Sequence, residues 1–203
     1  MEALASLATA AGLGWASGVR LYAVVFFLGL LQLFGIYTLP ADLQPLSNPW
    51  VMGASGFMFL VEFLADKIPG FDSVWDAAQT FIRIPAGALL AAAAVAGGDP
   101  SMSIAAGILG GTAAAGSHIT KASTRALINT SPEPWSNWTA SFSEDALSIG
   151  GVWAALVYPL VFLGFLIVFF IIAIWLLPKI WRGLKRVMGS IRQLLGNPAP
   201  ERQ

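Results

Sequence analysis

Glu62 and Asp66 stand four residues apart, as do Lys121 and Arg125, with His118 three residues before Lys121. On a helix these spacings put side chains on one face, so the chain carries an acidic stripe and a basic stripe. Arg20 lies well inside another apolar run, and Glu144-Asp145 open a further one. Neighbours on a helix point about 100° apart, so only one of that acidic pair can aim at a given cavity. Arg20, Glu62, Asp66, His118, Lys121, Arg125, Glu144 and Asp145 are therefore the candidates for binding an ion or small charged solute. Lys67, Asp72, Asp76 and Arg83, within VEFLADKIPGFDSVWDAAQTFIRIPAG at 61–87, read as an interfacial motif beside them. A charge near hydrocarbon costs at least ~2.5–3.5 kcal/mol, so it needs partners or a purpose. Two readings follow: the charges pair and hold a bundle in register, or they line a water-filled cavity open to the cytoplasm.

Other chemistries are less well supplied. Ser117-His118 are adjacent and cannot face each other on a helix, and no third member stands at a useful spacing. Glu62, Asp66, His118 and Glu144 could ligate a metal by type, yet they match no ligand spacing. Gly14-x3-Gly18 is a small-residue pattern for close helix packing. There is no cysteine, hence no disulfide, thiol nucleophile or thiolate metal site. The sequence predicts no enzyme, cofactor or metal centre. The sequons at Asn129 and Asn137 fall on the expected cytoplasmic side and are fortuitous.

The elements that must position these residues are apolar. Of 203 residues 57% are hydrophobic and 11% charged, with a mean hydropathy of +0.73. Soluble domains run at roughly 45–50% and ~25%. The fold class is all-α, a polytopic membrane helix bundle of about six transmembrane helices with short amphipathic interfacial helices. Given ~20 apolar residues per crossing, the spans fall at about 7–37, 49–65, 81 or 85 to 96, from 102 toward Asn129, 144–157 and 160–177. The connection at 38–48 contains two prolines, and Gly97-Gly98-Asp99-Pro100 is a turn. Asp72 or Ser73 is expected to cap a short amphipathic segment, with Asp76 in capping-box position, and 133–143 forms a second such entry. If Pro159 only kinks one long helix, the spans number five.

Six of the eleven basic residues lie after 178, which makes the C-terminal side cytoplasmic by the positive-inside rule. With six spans both termini share that side, and the outer connections (38–48, 97–101 and 158–159) contain no Lys or Arg. The N-terminal stretch lacks a basic n-region and a cleavage site, and reads as the start of a retained helix. The chain divides into a bundle, 1–178, and a basic amphipathic tail, 179–203. In the tail Ile180, Leu184, Val187, Ile191 and Leu194 share one face. Such a helix lies on anionic lipid; no nucleic-acid partner is expected. The Gly/Ala faces predict a homo-oligomer.

Sliding the chain by 63 positions aligns Pro69, Ser73, Trp75 and Ala77 with Pro132, Ser136, Trp138 and Ala140. That relates spans two-three to spans four-five in the same orientation. A shift of 98 aligns Gly12, Ala16, Gly18 and Arg20 with Gly110, Ala114, Gly116 and His118, and implies inverted halves.

The runs GLGWASGVRLYAVVFFLGLL, VEFLADKIPGFDSVWDAAQTFIRIPAGALLAAA and GSHITKASTRALINTSPEPWSNWTASFSEDALSIGG resemble bacterial multipass proteins grouped as domain of unknown function 4126. The resemblance covers about 11–155 and implies a bacterial inner (plasma) membrane protein, with no substrate or reaction attached. The functional expectation is a small permease or channel-like carrier for an ion or small charged solute. The alternative is a non-transporting scaffold that binds a partner protein or lipid headgroups.

Overall fold

The computed structural model describes residues 1–68, 70–130 and 133–196, and for 134 and 190–196 the backbone alone. Its described residues are helical throughout, with no strand. The α-helices are α1 (Glu2–Leu33), α2 (Pro49–Ala65), α3 (Phe71–Ala94), α4 (Pro100–Ile128), α5 (Pro134–Val157) and α6 (Pro159–Gly196), with a 3-10 helix at Ala41–Ser47. Two of the starts are built alike. Asn48 accepts from Trp50 N–H at 2.9 Å ahead of Pro49, and Asp99 accepts from Ser101 N–H at 2.9 Å ahead of Pro100. Each side chain satisfies an otherwise orphaned donor, and proline supplies none. That backbone donor also holds the exposed Asp99 carboxyl below the usual carboxylate range.

Several bounds depart from the expected ones. The α1 helix ends at Leu33, short of the expected 37. The short amphipathic segments are not separate elements; they are the opening turns of α3 and α5. Asp72 does not cap: Gly70 (φ +84) holds the N-cap position, and Asp72 Oδ1 accepts from the Gly70 and Ser73 amides. Asp76 turns to Arg83 instead of closing a capping box. The physical reason is burial, since Asp72, Asp76, Gln79 and Arg83 form one polar stripe that α3 keeps inside. The turn at Gly97 (φ +96) stands where expected.

Around Tyr158 (φ −130, ψ 59) the chain leaves α5 and enters α6. Ala146 and Gly150 share one small cavity with Phe162 and Phe165, so the two helices fold back on each other as a hairpin rather than forming a single kinked rod. The α6 helix then runs through Pro178 into the basic tail without a break. Ile180 is buried there, Leu184 and Val187 half-buried, and Arg182 and Lys185 exposed. Ile191 and Leu194 lie outside the residues with described side chains. By length and apolarity α1, α3 and α6 could cross a membrane, while α2 is apolar but shorter. The helix bounds also follow the 63-residue shift: α2 ends at 65 and α4 at 128, and α3 occupies 71–94 where α5 occupies 134–157. Pro132, one aligned residue, lies outside the described ones, as does Pro69.

The centre of the bundle is a trio, α1, α3 and α4, packed backbone to backbone. A Cβ on Gly14 would run into the backbone of Gly110, and one on Gly110 into Ala91. Such close approach is how helices associate in lipid, where burial of apolar surface gives no advantage. On the other side of α1, Trp15 meets Phe162, Phe165 and Phe169 edge-on, with centroids 5.2–5.6 Å away. This fixes α6 against α1.

Candidate functional site

The α1 helix is interrupted once. Arg20 has φ −148 and ψ 77, far from helical values, while the residues on both sides continue the helix. The carbonyls of the preceding turn take side-chain donors from α4: Ser117 Oγ donates to Trp15 O at 2.7 Å and Lys121 Nζ to Val19 O at 3.2 Å. The interruption thus carries Arg20 into a space shared by five helices.

There Arg20 meets Asp66 (2.9 Å), Asp145 (2.8 Å), Glu144 (3.6 Å) and Glu62 (3.9 Å), and its Nη2 donates to Ser141 Oγ at 2.9 Å. Arg83 bridges Glu62 and Asp76. Lys121 sits 3.3–3.5 Å from Glu62, Asp66, Asp76 and Glu144. Arg125 grips both oxygens of Glu144 at 2.8 and 2.9 Å and also reaches Asp66 at 3.3 Å and Asp72 at 3.8 Å. All eight candidate residues come together; against the expectation that only one of Glu144 and Asp145 could aim into the site, both reach Arg20, because its guanidinium spans the angle between them. Asp72, Asp76 and Arg83, expected at the interface, belong to the same network and are fully buried. Lys67 alone stays at the rim, donating to Phe63 O and lying 2.9 Å from the centre of its ring.

Charge within the network does not balance. Six carboxylates (Glu62, Asp66, Asp72, Asp76, Glu144 and Asp145) face four cations (Arg20, Arg83, Lys121 and Arg125). Glu62 Oε2, Asp66 Oδ1, Asp72 Oδ2 and Asp76 Oδ2 are buried without a hydrogen-bond donor, and Arg20 Nη1 and Arg83 Nε without an acceptor. Burying charge without compensation is costly, so an excess of two carboxylates makes the site receptive to positive charge. Glu144 and Asp145 keep the largest share of their side chains, 14%, in contact with the outside, against 2% for Lys121.

Neutral polar residues complete the site. Thr80 has one hydroxyl proton, and it goes to Asp76 O at 3.1 Å. His118 Nε2, 2.7 Å from the same hydroxyl, is then the donor, and Nδ1 accepts from Arg83 at 3.1 Å. His118 is a neutral spacer in this arrangement. Below the charges an amide clasp joins three helices. Asn129 Nδ2 donates to Asp72 Oδ1 (2.7 Å) and Ser73 Oγ (2.9 Å), and Asn137 Nδ2 donates to Asn129 Oδ1 (2.9 Å). No group of His, Cys, Asp and Glu among the described residues has the arrangement of a metal site.

A family model described as a domain of unknown function, DUF4126, matches residues 7–179. The chain belongs to that family. The match takes in every residue of the network, both hairpins and α6 up to the start of its basic stretch. No curated protein and no solved structure matches. Family membership therefore sets class, a membrane-compatible helical protein, and the chemistry has to be argued from the network itself.

Three kinds of site residue escape the stripe pattern. Thr80, Asn129, Asn137 and Ser141 carry no charge, and their roles come from which helix faces them. Tyr22, joined to Gln79 at 3.1 Å, is equally silent. Asp72, Asp76, Gln79 and Arg83 did have a signal, a 4-3-4 spacing like that of the basic stripe.

Proposed function

We propose that this protein is a small bacterial inner-membrane carrier that moves an ion or small charged solute by opening and closing the buried ion-pair network. Six helices cross the bilayer in this reading, with both termini cytoplasmic, the basic tail on anionic lipid, and protomers associated as homo-oligomers. The interruption of α1 at Arg20, inside the network, carries the reading. Helix breaks at membrane depth are tolerated only where backbone is buried in protein or lines a cavity, and transporters place binding sites at them. A residue freed from helical geometry can reorient without unwinding its neighbours. The excess of acidic groups favours a cationic passenger or co-ion. The amide clasp of Asn129 closes the cytoplasmic end.

Reconstituted protein tests this directly. Flux is followed as uptake of radiolabelled sodium, rubidium and an organic monocation, with a trapped pH dye for protons. Glu62→Gln and Arg20→Ala should each lower it at least tenfold at equal protein content. Flux no greater than that of empty vesicles with the unaltered protein would refute the reading. One observation favours a second reading, a non-transporting scaffold stapled by its charges: each of the four cations is shared by at least two carboxylates and fully or nearly fully buried. If so, the variants lose abundance and thermal stability and no flux is there to lose.

A further inference from the structure

Between α1, α2, α3 and the 3-10 helix lies an apolar groove of about 630 Å³, widely open along one side. Its wall is almost wholly apolar, with two aromatic rings, Tyr22 and Trp50, and it contains no Lys, Arg or His. Asp42 stands at its mouth on the 3-10 helix. At the other end Met58 and Ala86 line the wall, and one turn further along their helices come Glu62 and Arg83. The Tyr22 hydroxyl, donating to Gln79 Oε1 at 3.1 Å, closes the floor between cavity and network, and Gln79 lies on the α3 stripe between Asp76 and Arg83. The nearest network carboxylate along α2 is Glu62, whose Oε2 is buried without a donor.

We infer that this cavity is the outward-facing half of the pathway and takes an organic monocation with an apolar body, of the lipophilic amine or phosphonium class. The inference deepens the carrier reading and rests on it. Apolar walls hold the body of such a molecule, and Tyr22 and Trp50 are the aromatic residues among them. A carboxylate waits at each end, Asp42 exposed at the entrance and Glu62 one turn beneath the floor. An anion of equal size would meet the same walls, with Asp42 at the entrance and, beyond the floor, a network in which carboxylates outnumber cations six to four. A small hydrated cation would find carboxylates but lose its water to a wall that cannot replace it.

Tetraphenylphosphonium and tetraphenylborate, similar in shape and opposite in charge, separate these cases. Equilibrium dialysis of the full-length protein in nanodiscs should show saturable phosphonium binding and, in a separate dialysis, no saturable tetraphenylborate binding. Ala86→Phe, which fills the cavity, should weaken it at least tenfold. Asp42→Asn, an exposed change that leaves folding alone, should weaken it about threefold, and Glu62→Gln at least tenfold. Thermal melts of each variant verify that it is folded. Phosphonium binding that is unsaturable, unaffected in folded Ala86→Phe, or matched by tetraphenylborate overturns the inference. If that happens while inorganic-cation flux still depends on Glu62 and Arg20, the carrier reading stands and only the passenger class falls. Saturable, Ala86-dependent phosphonium binding without any flux supports the site and removes the carrier.

Discussion

Removing a cation from the network and removing an acid should have unequal consequences, because acids already outnumber cations there by six to four. Arg83→Ala takes the nearest cation from Glu62 and Asp76, leaves Lys121 to serve both at 3.5 Å, and should cost about 3 kcal/mol, the lower end of what breaking a buried pair costs. Asp76→Asn keeps the shape, reduces the excess, and should cost under half as much; thermal unfolding of the purified protein compares the two. Equal losses would mean that the excess is neutralised by some other route. The seven charged candidates and His118 are legible because four-residue spacing on a helix is a strong constraint, and long apolar neighbours give the charges nowhere else to go. Asp76 and Arg83 were placed too shallowly, since the Asp66-Lys67 pair and the following Pro-Gly suggested a loop and then an interfacial segment. The clasp of Asn129 and Asn137 could not be read, because an amide takes whichever partner the fold brings and its own spacing says nothing.

Among the elements, the α1–α4 contact is the most demanding. Gly14→Ala forces a methyl group into the Gly110 backbone and should destabilise by about 1–3 kcal/mol or more, as overpacking does. Gly53→Ala, on the open face of α2 where a Cβ meets nothing within 4 Å, should be neutral or slightly stabilising. Thermal melts of both variants measure the contrast. Gly14-x3-Gly18 was thus a usable packing signal, and the hairpin at Tyr158-Pro159 followed from Pro159 and the reach of an apolar helix. The merging of the amphipathic entries into α3 and α5 was not visible. A polar opening turn looks the same in sequence whether water or a neighbouring helix receives it. The end of α2 and the bounds of α3 differ from the end of α4 and the bounds of α5 by the same 63 residues as the sequence shift, yet different residues stand where the network forms: Glu62 aligns with Arg125, and Asp66 with Asn129.

For the whole molecule, the absence of native cysteine allows topology to be mapped with single introduced thiols. Ser47→Cys should react with a membrane-impermeant maleimide added outside intact cells, and Glu133→Cys only after the membrane is opened. The reverse pattern would invert the orientation and place the cavity mouth on the cytoplasmic side. The carrier account further requires the cytoplasmic end of the bundle to open, and the clasp between α3 and α4 is where it must do so. Asp72 and Asn129 touch across that gap, so an Asp72→Cys/Asn129→Cys pair can be joined by oxidation and freed by reduction. In proteoliposomes the reduced pair should carry cations and the oxidised pair should lose at least nine-tenths of that flux, recovering it on reduction. Undiminished flux through fully cross-linked protein would contradict the account, because transport would then proceed with the network held shut.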